Sequence, residues 1–167
     1  PRTGAPAVFS LRARRGERGC FWSDTIVDAH RDVLELSIQS SYALLDKVSG
    51  VVEEAASRIG LPEDQAVDLM ISVMEAVNNA ILHGNREDES KQVHVRIETE
   101  PSRVTIWVKD EGEGFDADSL PDPREPENLL KVAGRGIVMM KAFMDDVEFQ
   151  NWERGTLVKM TKQFTQD

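Results

Sequence analysis

Residues 75–85 read Glu75-Ala76-Val77-Asn78-Asn79-Ala80-Ile81-Leu82-His83-Gly84-Asn85, a helical stretch with two adjacent asparagines inside it. Asn competes with its own backbone for hydrogen bonds and is poor in helix interiors, so this pair calls for a reason. Glu75 and Asn79 lie four apart and share one helix face. Together they offer a carboxylate and an amide oxygen, the hard donors that Mg²⁺ prefers. An exposed polar stripe capped at His83-Gly84 accounts for the same letters, and the segment alone leaves both readings open.

Working outward, Leu61-Pro62-Glu63-Asp64 starts this helix, with Pro and two acids in its first turn where they suit the dipole. Before it, Leu44, Leu45, Val48, Val51, Val52, Ala55 and Ile59 form the stripe of an amphipathic helix over 42–59, ended by Gly60. Alternation of Leu34, Leu36 and Ile38 predicts a half-buried strand over 31–39. After it, Val93, Val95 and Ile97, then Val104, Ile106 and Val108, alternate around Glu100-Pro101-Ser102 as an antiparallel hairpin. Residues 116–136 are rich in Pro and acids and predict a mobile loop; 137–144 predict a helix, and 147–152 with 156–163 a closing hairpin. The order βααββαββ predicts an α+β two-layer sandwich, with helices on one face of a mixed, mainly antiparallel sheet.

The chain of 167 residues is 40% apolar and 30% charged, which fits one globular domain able to build an ordinary core. Residues 1–25 mix Pro, Gly, Arg and Ser without periodicity and predict a flexible basic arm, leaving 26–167 as the folded domain. The formal charge of −10 opposes direct nucleic-acid binding, although residues 1–20 carry a local +4. One cysteine, Cys20, allows no internal disulfide and suits a reducing cytoplasm. No apolar run has the length of a membrane span or follows the basic start as a signal peptide would, so neither membrane insertion nor secretion is expected.

Two further segments carry candidate chemistry. Asp110-x-Gly112-x-Gly114 follows a strand; its glycines allow close approach of a ligand, and its carboxylate accepts a hydrogen bond from an exocyclic amino group. Asp-Glu-Gly is also a good turn sequence. Gly134-Arg135-Gly136 opens the helix expected from Ile137, where free N–H groups, the helix dipole and Arg135 favour an anion; a plain hinge reads the same. The chain holds neither a P-loop nor a Rossmann glycine pattern.

Taken in order, the Glu/Asn helix, the Asp-x-Gly-x-Gly turn, the variable loop and the Gly-x-Gly before a helix resemble the N, G1 and G2 boxes of the GHKL ATPases. Within that superfamily, EAVNNAILHGN (75–85), VKDEGEGFD (108–116), GRGIVMMKAFMDDV (134–147) and Gly155-Thr156 are similar to the anti-sigma-factor serine kinases of RsbW type. The likeness spans about residues 30–163. It implies a Bergerat-type ATP-binding fold, with ATP and Mg²⁺ as cofactors. It implies Glu75 as general base, Asn79 as Mg²⁺ ligand and Asp110 as reader of the adenine amino group, with Thr156 nearby. Gly112 and Gly114 would line the nucleotide, Gly134 and Gly136 would meet phosphates, and residues 116–133 would form the ATP lid. Arg135 stands where many relatives carry another residue; contact with the γ-phosphate is favoured over a solvent-facing place.

The resemblance further implies a homodimeric serine/threonine-protein kinase. Its partners would be a STAS-domain anti-anti-sigma protein, phosphorylated on Ser or Thr, and a sigma factor that the kinase sequesters. The alternative is a nucleotide-dependent binding or switch module of the same fold, without productive phosphotransfer.

Overall fold

The computed structural model describes residues 10–14, 32–114, 132–152 and 154–165. Its strands are β1 (Ser10–Arg14), β2 (Asp32–Gln39), β3 (Gln92–Glu100), β4 (Arg103–Lys109), β5 (Asp146–Asn151) and β6 (Thr156–Gln163). Its α-helices are α1 (Leu45–Arg58), α2 (Glu63–Asn79) and α3 (Val132–Phe143). A 3-10 turn, Tyr42–Leu44, precedes α1, and a π-helical turn, Ala80–Gly84, continues α2.

The strands form one sheet in the order β1-β2-β3-β4-β6-β5. Every pairing is antiparallel, so the sheet is uniform where a mixed one was expected. The reason lies in the strand order: β4 and β5 run parallel and are joined by α3, but β6 is inserted between them, so no two neighbours are parallel. The basic stretch read as a flexible arm also needs correction in part. Its residues 10–14 pair with β2, Arg12 opposite Glu35, and add an edge strand.

Period-two alternation puts one apolar face across the sheet. Leu36, Val95, Val108 and Val158 stand in register from β2 through β6, and Leu34 pairs with Ile97, which pairs with Ile106 and then Met160. The helices cover this face. Val48, Val52 and Ala55 of α1 and Leu69, Val73 and Val77 of α2 join the same buried core as these strand residues. Gly60, at φ +62, ends α1 in the left-handed conformation a helix C-terminus favours.

Each fully buried Ile, Leu or Val contributes roughly 1.5–3 kcal/mol, whereas an exposed pair such as Arg86–Glu113 contributes about 0–1 kcal/mol. The apolar face therefore dominates the stability of the fold. On the opposite face Arg96 pairs with Glu35 at 3.1 Å and with Glu98, and its guanidinium lies 5.7 Å from the Trp107 ring centroid.

α2 packs between α1 and α3 and reaches β4 beneath it. That central place brings its C-terminal end, with Glu75 and Asn79, up to the start of α3 on one side. On the other, its π turn reaches the end of β4.

Candidate functional site

Two groups of residues meet around the end of α2. The first is made where α3 crosses it. A Cβ built on Gly136 would stand 2.5 Å from Glu75 Oε2 and 3.3 Å from Asn79 Nδ2, so the bare Gly136 backbone lies directly against the carboxylate and amide that share one α2 face. Any larger residue in this place would press on Glu75.

Gly134 and Arg135 precede this contact, but the helix begins earlier than expected. α3 starts at Val132, so Gly134-Arg135-Gly136 lie within it and not before it. Two glycines lower helix propensity and hide the true start; here Gly136 serves close packing against α2. Gly134 and Arg135 still belong to the first turn, whose N–H groups have no helical partners. The Arg135 side chain is exposed.

The second group gathers where β4 ends. Asp110 is only 4% exposed. Its Oδ1 accepts the N–H of Gly112 at 2.9 Å and that of Thr156 at 3.0 Å, while its own N–H donates to the Thr156 carbonyl at 3.1 Å. Burial pushes the Asp110 carboxyl above the usual carboxylate range; the donors from Gly112 and Thr156 pull the other way without cancelling it. Desolvated acceptors of this kind are poised for a ligand donor.

Glycines close around this carboxylate. A Cβ on Gly84 would fall inside van der Waals contact of the Asp110 side chain, one on Gly112 would meet the Gly84 carbonyl, and one on Gly155 would meet the Asp110 carbonyl. Gly155 also sits at φ +111, a conformation that side chains rarely adopt. Gly114, at φ +82, lies beside Asn151. The expected lid falls on residues 116–133, of which 116–131 lie outside the described residues and 132–133 belong to α3.

The π turn links the two groups. Ala80–Gly84 follows Asn79 without a break, and Asn85 N–H closes it on the Ala80 carbonyl at 2.8 Å. Such turns recur at functional sites. Asn85 escaped the sequence reading as a residue with a task of its own, since an Asn after Gly at a helix end looks like a cap. Its total burial is the signal that the letters do not carry.

The donor set suits a nucleotide and a hard cation. Among the described residues no three His, Cys, Asp or Glu gather to hold a metal. A Mg²⁺ ion needs no such cage: it keeps waters and takes phosphate oxygens, and one amide oxygen from Asn79 suffices as protein ligand. The buried, glycine-walled Asp110 has the acceptor chemistry for a base amino group.

Comparison with known proteins bears on the family and the fold. The model of the histidine kinase-like ATPase domain matches residues 38–162. The serine-protein kinase RsbW of Bacillus subtilis is 31% identical over 137 residues, 78% of this chain and 85% of the relative. The anti-sigma F factor of Clostridium perfringens is 35% identical over 104 residues, 59% of this chain and 73% of the relative. A crystal structure of the RsbU and RsbW domains of a Mycobacterium tuberculosis protein aligns at a TM-score of 0.58 and 18% identity, over 80% of this chain. That match spans 33% of the larger mycobacterial chain and speaks for the fold alone. With most of its length inside the domain model and a 31% identical relative matched over 85% of that relative's length, the chain belongs to the histidine kinase-like ATPase family, among its RsbW-like members.

Proposed function

We propose that the chain is an ATP-dependent serine/threonine-protein kinase that phosphorylates a STAS-domain anti-anti-sigma protein and sequesters a sigma factor, acting as a cytoplasmic homodimer. The observation that carries this reading is the closure of Gly136 on Glu75 and Asn79, with the π turn that continues the same helix bringing Gly84 against Asp110 at the end of β4. The relatives called serine-protein kinase RsbW and anti-sigma F factor support the same activity. No helix among the described residues is long and apolar enough to cross a membrane.

In this reading Asp110 accepts a hydrogen bond from the adenine amino group, and Gly112, Gly114 and the Thr156 backbone line the base. Gly134, Arg135 and Gly136 face the phosphates from the first turns of α3. Asn79 would hold Mg²⁺, and the ion would supply neutralisation of phosphate charge. Glu75 takes the proton of the incoming Ser or Thr hydroxyl as its oxygen bonds to the γ-phosphorus. The bond from that phosphorus to the bridging oxygen breaks, and ADP carries away the electron pair.

The test is transfer of label from γ-labelled ATP, with Mg²⁺, to the STAS-domain proteins of the source genome, with Glu75→Ala as control. Label on a STAS Ser or Thr that disappears with Glu75→Ala is the expected result. Absence of label despite demonstrated ATP binding would overturn the kinase reading in favour of a nucleotide-dependent switch.

A further inference from the structure

Asp110 is held from three directions. Thr156 holds its N–H and one carboxylate oxygen from β6, and Gly112 holds the same oxygen from its own turn. The third hold comes from the helix layer. Asn85 is 0% exposed, and its Oδ1 accepts the N–H of Glu111, the peptide that follows Asp110, at 2.8 Å. Its Nδ2 donates to the carbonyl of Gln92 at 2.9 Å, which ties the same side chain to the first residue of β3. Its own N–H closes the π turn on Ala80.

Asn85 therefore joins three elements with one amide. An amide side chain is suited to this because it accepts on one atom and donates on the other. Next to it, Gly84 packs its backbone against the Asp110 carboxyl. The pair grips both the side chain and the following peptide of Asp110, and it does so from the helix that carries Glu75 and Asn79.

We propose that Asn85 is a positioning residue for base specificity: by fixing the Asp110–Glu111 peptide to the end of α2, it sets where the adenine-reading carboxylate stands. This inference rests on the adenine role proposed for Asp110. Removing Asn85 frees that peptide to shift, and a single directed hydrogen bond tolerates little displacement. Discrimination at the base should fall, while affinity for the phosphates, which Asn85 does not touch, is retained.

The experiment compares, by titration calorimetry on the full chain, ADP with purine riboside 5′-diphosphate, which lacks only the exocyclic amino group. The unsubstituted protein should prefer ADP by about 10- to 100-fold, the worth of one hydrogen bond to a charged acceptor. Asn85→Ala should reduce that preference to below about threefold.

If the unsubstituted protein shows no preference, the adenine role of Asp110 fails, and the inference falls with it. If it does discriminate and Asn85→Ala keeps the full preference with only a uniform loss of affinity or a lower melting temperature, Asn85 is structural and the proposal is overturned on its own. Should Asn85→Ala not fold, amide exchange of Glu111 in the unsubstituted protein decides: slowed exchange supports the contact, and exchange at the rate of an open peptide overturns it.

Discussion

Replacing Gly136 by Ala tests the contact that joins α3 to α2. Gly136 is helical and is not among the glycines at positive φ, so its backbone accepts an L side chain. In a helix interior the exchange is worth about 0.5–1 kcal/mol in favour of Ala. The added Cβ would stand 2.5 Å from Glu75 Oε2, where ordinary contact begins at 3.4 Å, so the carboxylate must retreat by about 0.9 Å. The end of a Glu side chain can move that far at small cost to the fold. A general base cannot: displacement by about 1 Å costs on the order of 100-fold in rate. The expected variant melts at the wild-type temperature or slightly above it and transfers phosphate about 100-fold more slowly. Single-turnover transfer at saturating nucleotide, with thermal denaturation in parallel, measures both quantities. A stable Gly136→Ala protein with transfer within about threefold of wild type would refute the placing of Glu75 as base.

Glu75→Ala should bind ADP as the unsubstituted protein does and transfer no label; loss of binding in calorimetry would make Glu75 a structural residue or a metal ligand. Asp110→Asn turns a donor toward the adenine amino group and should weaken ADP binding by about 10- to 100-fold, read by the same titration. The same substitution tests the raised Asp110 carboxyl, whose folded value lies above its unfolded one. The resulting contribution to stability is complete below the unfolded value and is lost as pH rises through the folded one. Urea denaturation without nucleotide should therefore show the wild type losing stability relative to Asp110→Asn on going from about pH 4 toward neutrality. Gly155→Ala places a Cβ against the backbone carbonyl of Asp110 at φ +111, where nothing can yield cheaply, and should cost roughly 2–4 kcal/mol in thermal or chemical denaturation.

Much of the fold is legible in the sequence because one sheet face is buried. Val93, Val95 and Ile97 on β3 and Val104, Ile106 and Val108 on β4 can alternate only one way, and a shift by one residue would turn them all to the outside. β1 is not legible, since the partner of Ser10–Arg14 is a backbone edge and the local letters read as a basic arm. The early start of α3 is masked by Gly134 and Gly136, whose poor helix propensity is overridden by packing on α2. The site residues show as motifs because their types are unusual in place, as Asn79 is inside a helix. Their mutual distances depend on the sheet order and on the π turn, and neither leaves a periodic trace. Asn85 stayed hidden for the same reason: its partners, Gln92 and Glu111, are backbone groups, which any sequence supplies.

The π turn has a consequence for how this protein tolerates change in length. A five-residue hydrogen-bonded step holds one residue more than the four-residue step of an α-helix. Deleting one residue between Ala80 and Gly84 would let α2 continue in regular geometry, so the helix itself would gain regularity. The N–H of Asn85 would then close on the same Ala80 carbonyl as an ordinary α-helical bond, so everything after it would arrive in nearly the same phase. Gly84 would still back onto Asp110 and Asn85 would still face Glu111, whereas one residue added to the regular part of α2 would turn both by about 100°. The surplus residue, a defect by the standards of an isolated helix, is thus taken up within one turn, and this end of α2 should accept a loss of length more readily than a gain.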